Sequence, residues 1–219
     1  MSPARSIAWP TGPLVASTLA ARARGAYLGL AIGDALGATV EFMTAAEIRA
    51  QHGTHQDLSG GGWLKLKPGQ VTDDTQMSLA LGGAIIDSGG WELGAIAERW
   101  VAWLRSKPVD VGNTCRRGIT RVMRGGGLES PPSEGDAGNG ALMRNLPTVL
   151  FASHDDELLV RLSLKQAHIT HNHPLSDAAV VCVARMLARL LHGVIKSFAL
   201  PTAVDGLLCA PREKDRQQQ

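Results

Sequence analysis

Val71-Thr72-Asp73-Asp74-Thr75-Gln76-Met77-Ser78-Leu79-Ala80 is the stretch around which the chain is organised, because two adjacent carboxylates stand directly before an apolar run. This pattern predicts that a helix begins here and runs to about Asp87. Asp73 is the predicted N-cap, and Gln76 lies three residues later, where a capping box carries an acid or an amide. A cap needs one carboxylate, so Asp74 is left for another role.

Two interpretations of this acidic pair stay open. In the first, Asp73 caps the helix and Asp74 only complements the positive end of the helix dipole, which is the commoner use of acids at this position. In the second, both carboxylates and the hydroxyl of Thr72 form an oxygen-rich site of the kind that Mg²⁺ or Mn²⁺ prefers.

The composition is ordinary for a globular protein and excludes several classes. Of the 219 residues, 44% are hydrophobic and 19% are charged, and the net charge of +2 comes from scattered basic residues, so nothing favours nucleic acid as a partner. Cys115, Cys182 and Cys209 form no C-x-x-C pair, which fits a reducing cytoplasm. No apolar run approaches the roughly 20 residues of a membrane span, and residues 14–21 lack the features of a signal peptide.

Helical periodicity recurs along the chain, whereas no segment shows convincing alternation with period two. The clearest amphipathic pattern is formed by Leu93, Ile96, Ala97, Trp100, Val101 and Leu104. Six or seven helices with glycine-rich loops predict an all-α fold. We expect a loose leader over residues 1–20, one domain over residues 21–193 and a divergent, disordered tail over residues 194–219.

The segment Glu134-Gly135-Asp136-Ala137-Gly138-Asn139-Gly140-Ala141 ends where another helix is predicted to begin. Its glycines let backbone N–H groups converge, and a helix N-terminus favours an anion, so a phosphate or diphosphate is a natural ligand. It is not a Walker loop, because no Gly-Lys-Ser/Thr follows. A simple turn is the alternative, and for the other loop acids, Glu41, Asp110 and Glu134, the alternative is a cap or a solvated charge.

Three histidines, His168, His171 and His173, form the pattern H-x-x-H-x-H. A zinc site is one interpretation. A structural histidine, or one that lines a ligand pocket, is favoured, because Pro174 restricts the geometry and no further ligand of suitable spacing follows.

Five motifs, in this order along the chain, resemble those of the ADP-ribosylglycohydrolase family. They are Gly33-Asp34-Ala35-Leu36-Gly37 with Glu41, Thr72-Asp73-Asp74-Thr75, Pro108-Val109-Asp110-Val111-Gly112-Asn113-Thr114, Gly138-Asn139-Gly140-Ala141-Leu142-Met143-Arg144, and Ile169-Thr170-His171-Asn172-His173-Pro174. The resemblance covers roughly residues 22–192. It implies an all-α orthogonal helical domain with a two-metal site, for Mn²⁺ or Mg²⁺, and removal of ADP-ribose from an arginine side chain.

The resemblance also implies roles for individual residues. The implied metal ligands are Glu41, Thr72, Asp73 and Asp74, and the implied catalytic acids are Asp74 and Asp110. The residues implied to contact ADP-ribose are Asn113, Glu134, Gly138, Asn139, Gly140, Met143 and His171. The expected partner is an ADP-ribosylated protein, dinitrogenase reductase, which would connect the chain to the regulation of nitrogen fixation.

One motif of the family has no counterpart, because no Asp-x-Asp-Thr occurs after Asp177. We therefore expect a C-terminally truncated domain with an incomplete second metal site and an exposed apolar face. Three outcomes stay open at this point: an active hydrolase, a weak or inactive protein that still binds ADP-ribose, and a fragment that does not fold stably.

Overall fold

The computed structural model describes residues 7–8 and 16–193, which form eight α-helices and one short pair of strands. The helices are α1 (Ala16–Val40), α2 (Ala45–His52), α3 (Asp73–Asp87), α4 (Leu93–Arg105), α5 (Asn113–Met123), α6 (Leu146–Ala152), α7 (Asp156–Ala167) and α8 (Pro174–Leu191). The strands β1 (Ile7–Ala8) and β2 (Gly90–Trp91) pair in antiparallel register. The predicted all-α fold is confirmed. The strand pair was not predicted, because two residues are too few to show an alternation with period two.

The N-terminal boundary differs from the prediction. Helix α1 begins at Ala16, inside the predicted leader over residues 1–20, because alanine and leucine continue the helix upstream. Strand β1 lies in the same stretch. The predicted tail over residues 194–219 lies outside the described residues.

Helix α3 is central, since it packs against α1, α4 and α6. Its buried side chains Met77, Leu81 and Ile85 meet Trp100 of α4 in the main hydrophobic core. The indole Nε1 of Trp100 donates to the carbonyl oxygen of Met77 at 3.1 Å, which satisfies the one polar group of a fully buried ring. This packing fixes the direction of α3 and therefore the place of Asp73 at its N-terminus.

Helix α1 carries apolar side chains on its solvent face. Leu28 and Ile32 are 62% and 52% exposed, as expected from the sequence. No single helix in residues 16–193 has the length and hydropathy to cross a membrane. Thr18–Val40 and Ala45–His52 pass that test only together, by length and composition, with a bend of 95° between them.

Candidate active site

The N-terminus of α3 is capped by a side chain from α1. The carboxylate of Asp34 accepts hydrogen bonds from the N–H and hydroxyl of Thr72, at 2.9 and 2.7 Å, and from those of Thr75, at 3.1 and 2.6 Å. Thr72 is the N-cap residue and makes no side-chain cap of its own. The predicted cap by Asp73 is therefore wrong, and so is the capping box, because Gln76 instead accepts from an indole of α4.

Both acids that open α3 are thereby free of capping. Asp73 is buried, and its Oδ2 accepts the N–H of Gly112 at 3.1 Å. Oδ2 of Asp74 lies 3.4 Å from the hydroxyl oxygen of Thr72, whose proton is donated to Asp34 at the shorter distance of 2.7 Å. The commoner interpretation is wrong for Asp73, which does not cap the helix, whereas Asp74 does lie in the first turn, where its charge complements the helix dipole. Carboxylate oxygens of both acids remain available for a ligand.

Burial and mutual repulsion raise the pKa of these acids. For Asp74, burial is the largest cause, and the charges of Asp73 and Asp34 add to it, so its pKa rises to about 6. The pKa of Asp73 is raised by burial first and also by the carboxylates of Asp110 and Asp34, against the opposing hydrogen bond from Gly112. A cation placed among such acids would relieve their repulsion.

Two neighbouring cavities of about 520 and 400 Å³ lie at this end of α3. The predicted site residues that line both are Glu41, Asp74, Asp110, Asn139 and Met143. The larger cavity adds Thr72, and the smaller adds Asp73, Asn113, Gly138, Gly140 and His171. Residues more than a hundred positions apart in sequence therefore share one cleft.

Glu134 is the predicted site residue that the structure does not bring to the cleft. Its side chain is fully exposed, and its Oε2 lies 3.5 Å from Nε2 of His173. Its neighbour Asp136 is buried and pairs with Arg117. The role in ADP-ribose binding implied for Glu134 has no support from its position.

The glycine segment lies against His171. A 3₁₀ turn over Asn139–Ala141 stands where an α-helix was predicted, and the next helix, α6, begins at Leu146. No side chain caps the turn, so its first N–H groups are available to an anion. A Cβ at Gly140 would lie 2.6 Å from Cε1 of His171, which explains the need for glycine.

The three histidines point to different partners. His171 lines the smaller cavity, whereas Nε2 of His168 lies 3.0 Å from Oδ1 of Asp177. Nδ1 of His173 accepts the N–H of Leu175 at 3.0 Å and caps α8. The zinc interpretation is therefore wrong for this trio.

The residues in the cleft fit a hard divalent cation by their chemistry. Carboxylates of Glu41, Asp73 and Asp74, with the hydroxyl of Thr72, form an all-oxygen donor set. As they stand, no three His, Cys, Asp or Glu side chains within residues 16–193 are grouped to hold an ion. Oε2 of Glu41 accepts the indole N–H of Trp63 at 2.9 Å, and its other carboxylate oxygen remains available to a ligand.

Asp34 lines the larger cavity but was not assigned a site role from the sequence. It is the single acid in the apolar and glycine-rich stretch 26–40, and this isolation is the signal that could have identified it. A charge on a helix of this composition needs buried partners, and the hydroxyls of Thr72 and Thr75 are those partners.

A buried arginine lies behind the acids. The guanidinium of Arg144 donates to Gln166 at 2.9 Å and to Thr170 at 2.8 Å, and it lies 3.9 Å from the ring centroid of Trp100. Burial lowers its pKa to about 10, which leaves it charged near neutral pH. Its charge and that of Asp73 stabilise each other.

Comparison with known proteins identifies related chains. The sequence model of a family described as ADP-ribosylglycohydrolase matches residues 16–217, beyond the predicted domain boundary at residue 193. The chain is 57% identical, over 183 residues, to the ADP-ribosyl-[dinitrogen reductase] glycohydrolase of Rhodospirillum rubrum. The matched segment covers 84% of this chain and 61% of that protein. It is 34% identical, over 201 residues, to an ADP-ribosylarginine hydrolase of Pseudomonas putida. That match covers 87% of this chain and 52% of the relative.

A solved structure, described as an ADP-ribosylglycohydrolase-related protein complex, has the same fold. Its TM-score is 0.69 at 34% sequence identity, over 82% of this chain and 59% of that chain. The chain therefore spans between half and two thirds of the length of these relatives.

Proposed function

The chain belongs to the ADP-ribosylglycohydrolase family, and we propose that its cleft hydrolyses the N-glycosidic bond between ADP-ribose and an arginine side chain of a modified protein. The observation that carries the proposal is the single cleft that joins the acids at the start of α3 to the glycine turn and His171. Arginine as the linked residue is supported by the similarity to an ADP-ribosylarginine hydrolase.

We propose dinitrogenase reductase as the modified protein, which places the activity in the regulation of nitrogen fixation. The support is the 57% identity to a relative whose name specifies dinitrogen reductase. The exposed aromatic pair Phe42 and Trp63 lines the smaller cavity and offers a surface that an attached protein would contact.

The glycine turn and His171 would bind the diphosphate. The uncapped turn over Asn139–Ala141 offers N–H groups, and His171 lies beside it. A diphosphate held there would position the ribose over the part of the cleft where Asp110 and Asp74 line both cavities.

The acids would act on the ribose. Cleavage of the N-glycosidic bond builds positive charge on the sugar ring, and the carboxylate of Asp110 would stabilise that charge or accept a proton from the attacking water. Glu41, Thr72, Asp73 and Asp74 would hold Mn²⁺ or Mg²⁺. Such an ion, when bound, lowers the pKa of a coordinated water.

A second candidate is an ADP-ribose-binding protein without turnover. One observation favours it: the acids are not grouped to hold an ion within the described part of the chain. Binding of an anion at the glycine turn does not depend on that grouping of acids.

Release of ADP-ribose from ADP-ribosylarginine, followed chromatographically with Mn²⁺, Mg²⁺ or a chelator, tests the proposal. Metal-dependent release that is lost in Asp110→Asn and kept in Glu134→Gln supports the hydrolase. The control is matched because Glu134 is an exposed acid outside the cleft. Calorimetric binding of ADP-ribose without release under any metal supports the second candidate, and absence of both binding and release overturns both.

A further inference from the structure

A buried chain of hydrogen bonds leads from Arg144 to His171. Nη2 of Arg144 donates to Oγ1 of Thr170 at 2.8 Å, and the same oxygen lies 2.8 Å from Nδ1 of His171. All three side chains are buried, with no more than 2% of each residue exposed. Bulk water therefore does not compete for these bonds.

The direction of these two hydrogen bonds follows from the donor capacity of each group. A guanidinium only donates, so its bond occupies a lone pair of the Thr170 oxygen and leaves the hydroxyl proton free to donate. Nδ1 of His171 is the strong acceptor within reach. The competing acceptor is the sulfur of Cys115, which is weaker and already lies 3.6 Å from Nη1 of Arg144.

The imidazole of His171 is neutral in this environment. Burial is the largest cause, and the positive charges of Arg144 and Arg117 add to it, so the pKa of His171 falls to about 3. A neutral imidazole carries one proton, and when Nδ1 accepts a hydrogen bond, that proton is on Nε2.

Nε2 lies at the glycine turn. A Cβ built on Gly138 would be 3.4 Å from Nε2, and one built on Gly140 would be 3.0 Å away. His171 lines the smaller cavity, and no residue of the described ranges accepts a hydrogen bond from its Nε2. The N–H on Nε2 is therefore available to a ligand.

We propose that Thr170 and Arg144 are positioning residues, which fix His171 as the Nε2–H tautomer so that it donates a hydrogen bond to an anionic oxygen held at the Gly138–Gly140 turn. The identity of that anion as a diphosphate rests on the proposed function. The opposite tautomer would present a lone pair to the anion and repel it, so the tautomer decides whether His171 supports binding.

The tautomer can be measured directly in the ligand-free full chain by long-range ¹H–¹⁵N correlation spectra of the imidazole rings. The spectrum of His171→Gln identifies the His171 signals by their loss. We expect the nitrogen shifts of a protonated Nε2 and an unprotonated Nδ1, unchanged across neutral pH. A protonated Nδ1 in the wild type overturns the proposal without any variant of Thr170.

Two variants then test the role of the hydroxyl. Thr170→Val keeps the shape and removes the donor, and we expect a mixture of tautomers and about tenfold weaker ADP-ribose binding by calorimetry. Thr170→Ser keeps the donor and restores both the wild-type tautomer and the affinity. A purely structural role would weaken binding in Thr170→Val without moving the nitrogen shifts, and that result overturns the proposal.

Failure of the proposed function has a different signature. If the wild type shows the Nε2–H tautomer but does not bind ADP-ribose, the positioning by Thr170 stands and the diphosphate ligand is wrong. If Thr170→Val does not fold, the spectra of the wild type and Thr170→Ser still decide, because a different tautomer in the serine variant contradicts control by the hydroxyl.

Discussion

The carboxylate of Asp34 accepts the hydroxyl proton of Thr75 at 2.6 Å, and this bond ties α1 to the first turn of α3. The same carboxylate accepts the N–H groups of Thr72 and Thr75, so another helix satisfies donors that a local N-cap usually satisfies. The acids Asp73 and Asp74 are thereby left to the cleft.

Replacing Asp34 by alanine is expected to lower the free energy of unfolding by about 2 kcal/mol, because the helix loses its cap and four donors lose their acceptor. Relief of repulsion with Asp74 offsets part of the loss. Urea denaturation measures the change. Asp57→Ala, at an exposed site, is the control, and an equal effect of the two variants contradicts the assignment of the cap.

The stability of the ion-free protein is expected to fall as the pH rises from about 4 to about 6. Asp74 has a pKa of about 6 in the folded chain, against 3.8 for a free side chain, so the folded state binds the proton more tightly in this interval. Asp74→Asn removes the part of this pH dependence that Asp74 contributes. Thermal melts in a chelator should therefore show the variant melting above the wild type near pH 7.5 and level with it near pH 4. A difference in melting temperature between variant and wild type that is the same at both pH values contradicts the raised pKa.

Replacing Asp73 by asparagine is expected to weaken Mn²⁺ binding by about tenfold, since a buried carboxylate of the donor set becomes neutral. Counting free Mn²⁺ by electron paramagnetic resonance gives the affinity. Glu134→Gln removes an equal charge from an exposed loop and should leave the affinity unchanged. Equal losses in the two variants would show a general electrostatic effect in place of ligation.

Adding a methyl group at Gly140 is expected to abolish ADP-ribose binding. The new Cβ would lie 2.6 Å from Cε1 of His171 and 2.8 Å from Sγ of Cys115, so the turn and the imidazole cannot keep their places. Gly135→Ala is the matched control in the same segment, because its Cβ would meet only Oγ of Ser133 at 3.7 Å. Calorimetric titration of both variants checks this, and normal binding by Gly140→Ala would remove the turn from the site.

The ends of helices were predicted well where the residues that determine them lie next to the helix in the sequence. The end of α3 at Asp87 followed from apolar periodicity and the glycines beyond it. The cap was predicted wrongly because the carboxylate that accepts its hydrogen bonds, Asp34, is 38 residues before Thr72, and a sequence does not show which distant carboxylate reaches a helix end. The loop segment shows the same limit on a smaller scale, since Glu134 is exposed whereas Asp136, two residues later, is buried.

The convergence of Glu41, Asp74 and Asp110 in one cleft was predicted from ordered motifs that resemble a family, not from spacing. The hydrogen bonds that connect Arg144, Thr170 and His171 could not be predicted, because they depend on burial and on which group donates to which.

Because Asp34 lies on α1 and caps α3, the cleft forms only after these two helices have come together. The N–H groups of Thr72 and Thr75 bond to a carboxylate on a different helix, so their amide hydrogens exchange with solvent when α1 separates from α3. The rate of hydrogen exchange at these two amides therefore reports how often the contact between α1 and α3 that forms the cleft opens. An isolated peptide covering α3 lacks this protection, and the acids of the cleft acquire their arrangement only in a folding step that brings the two helices together.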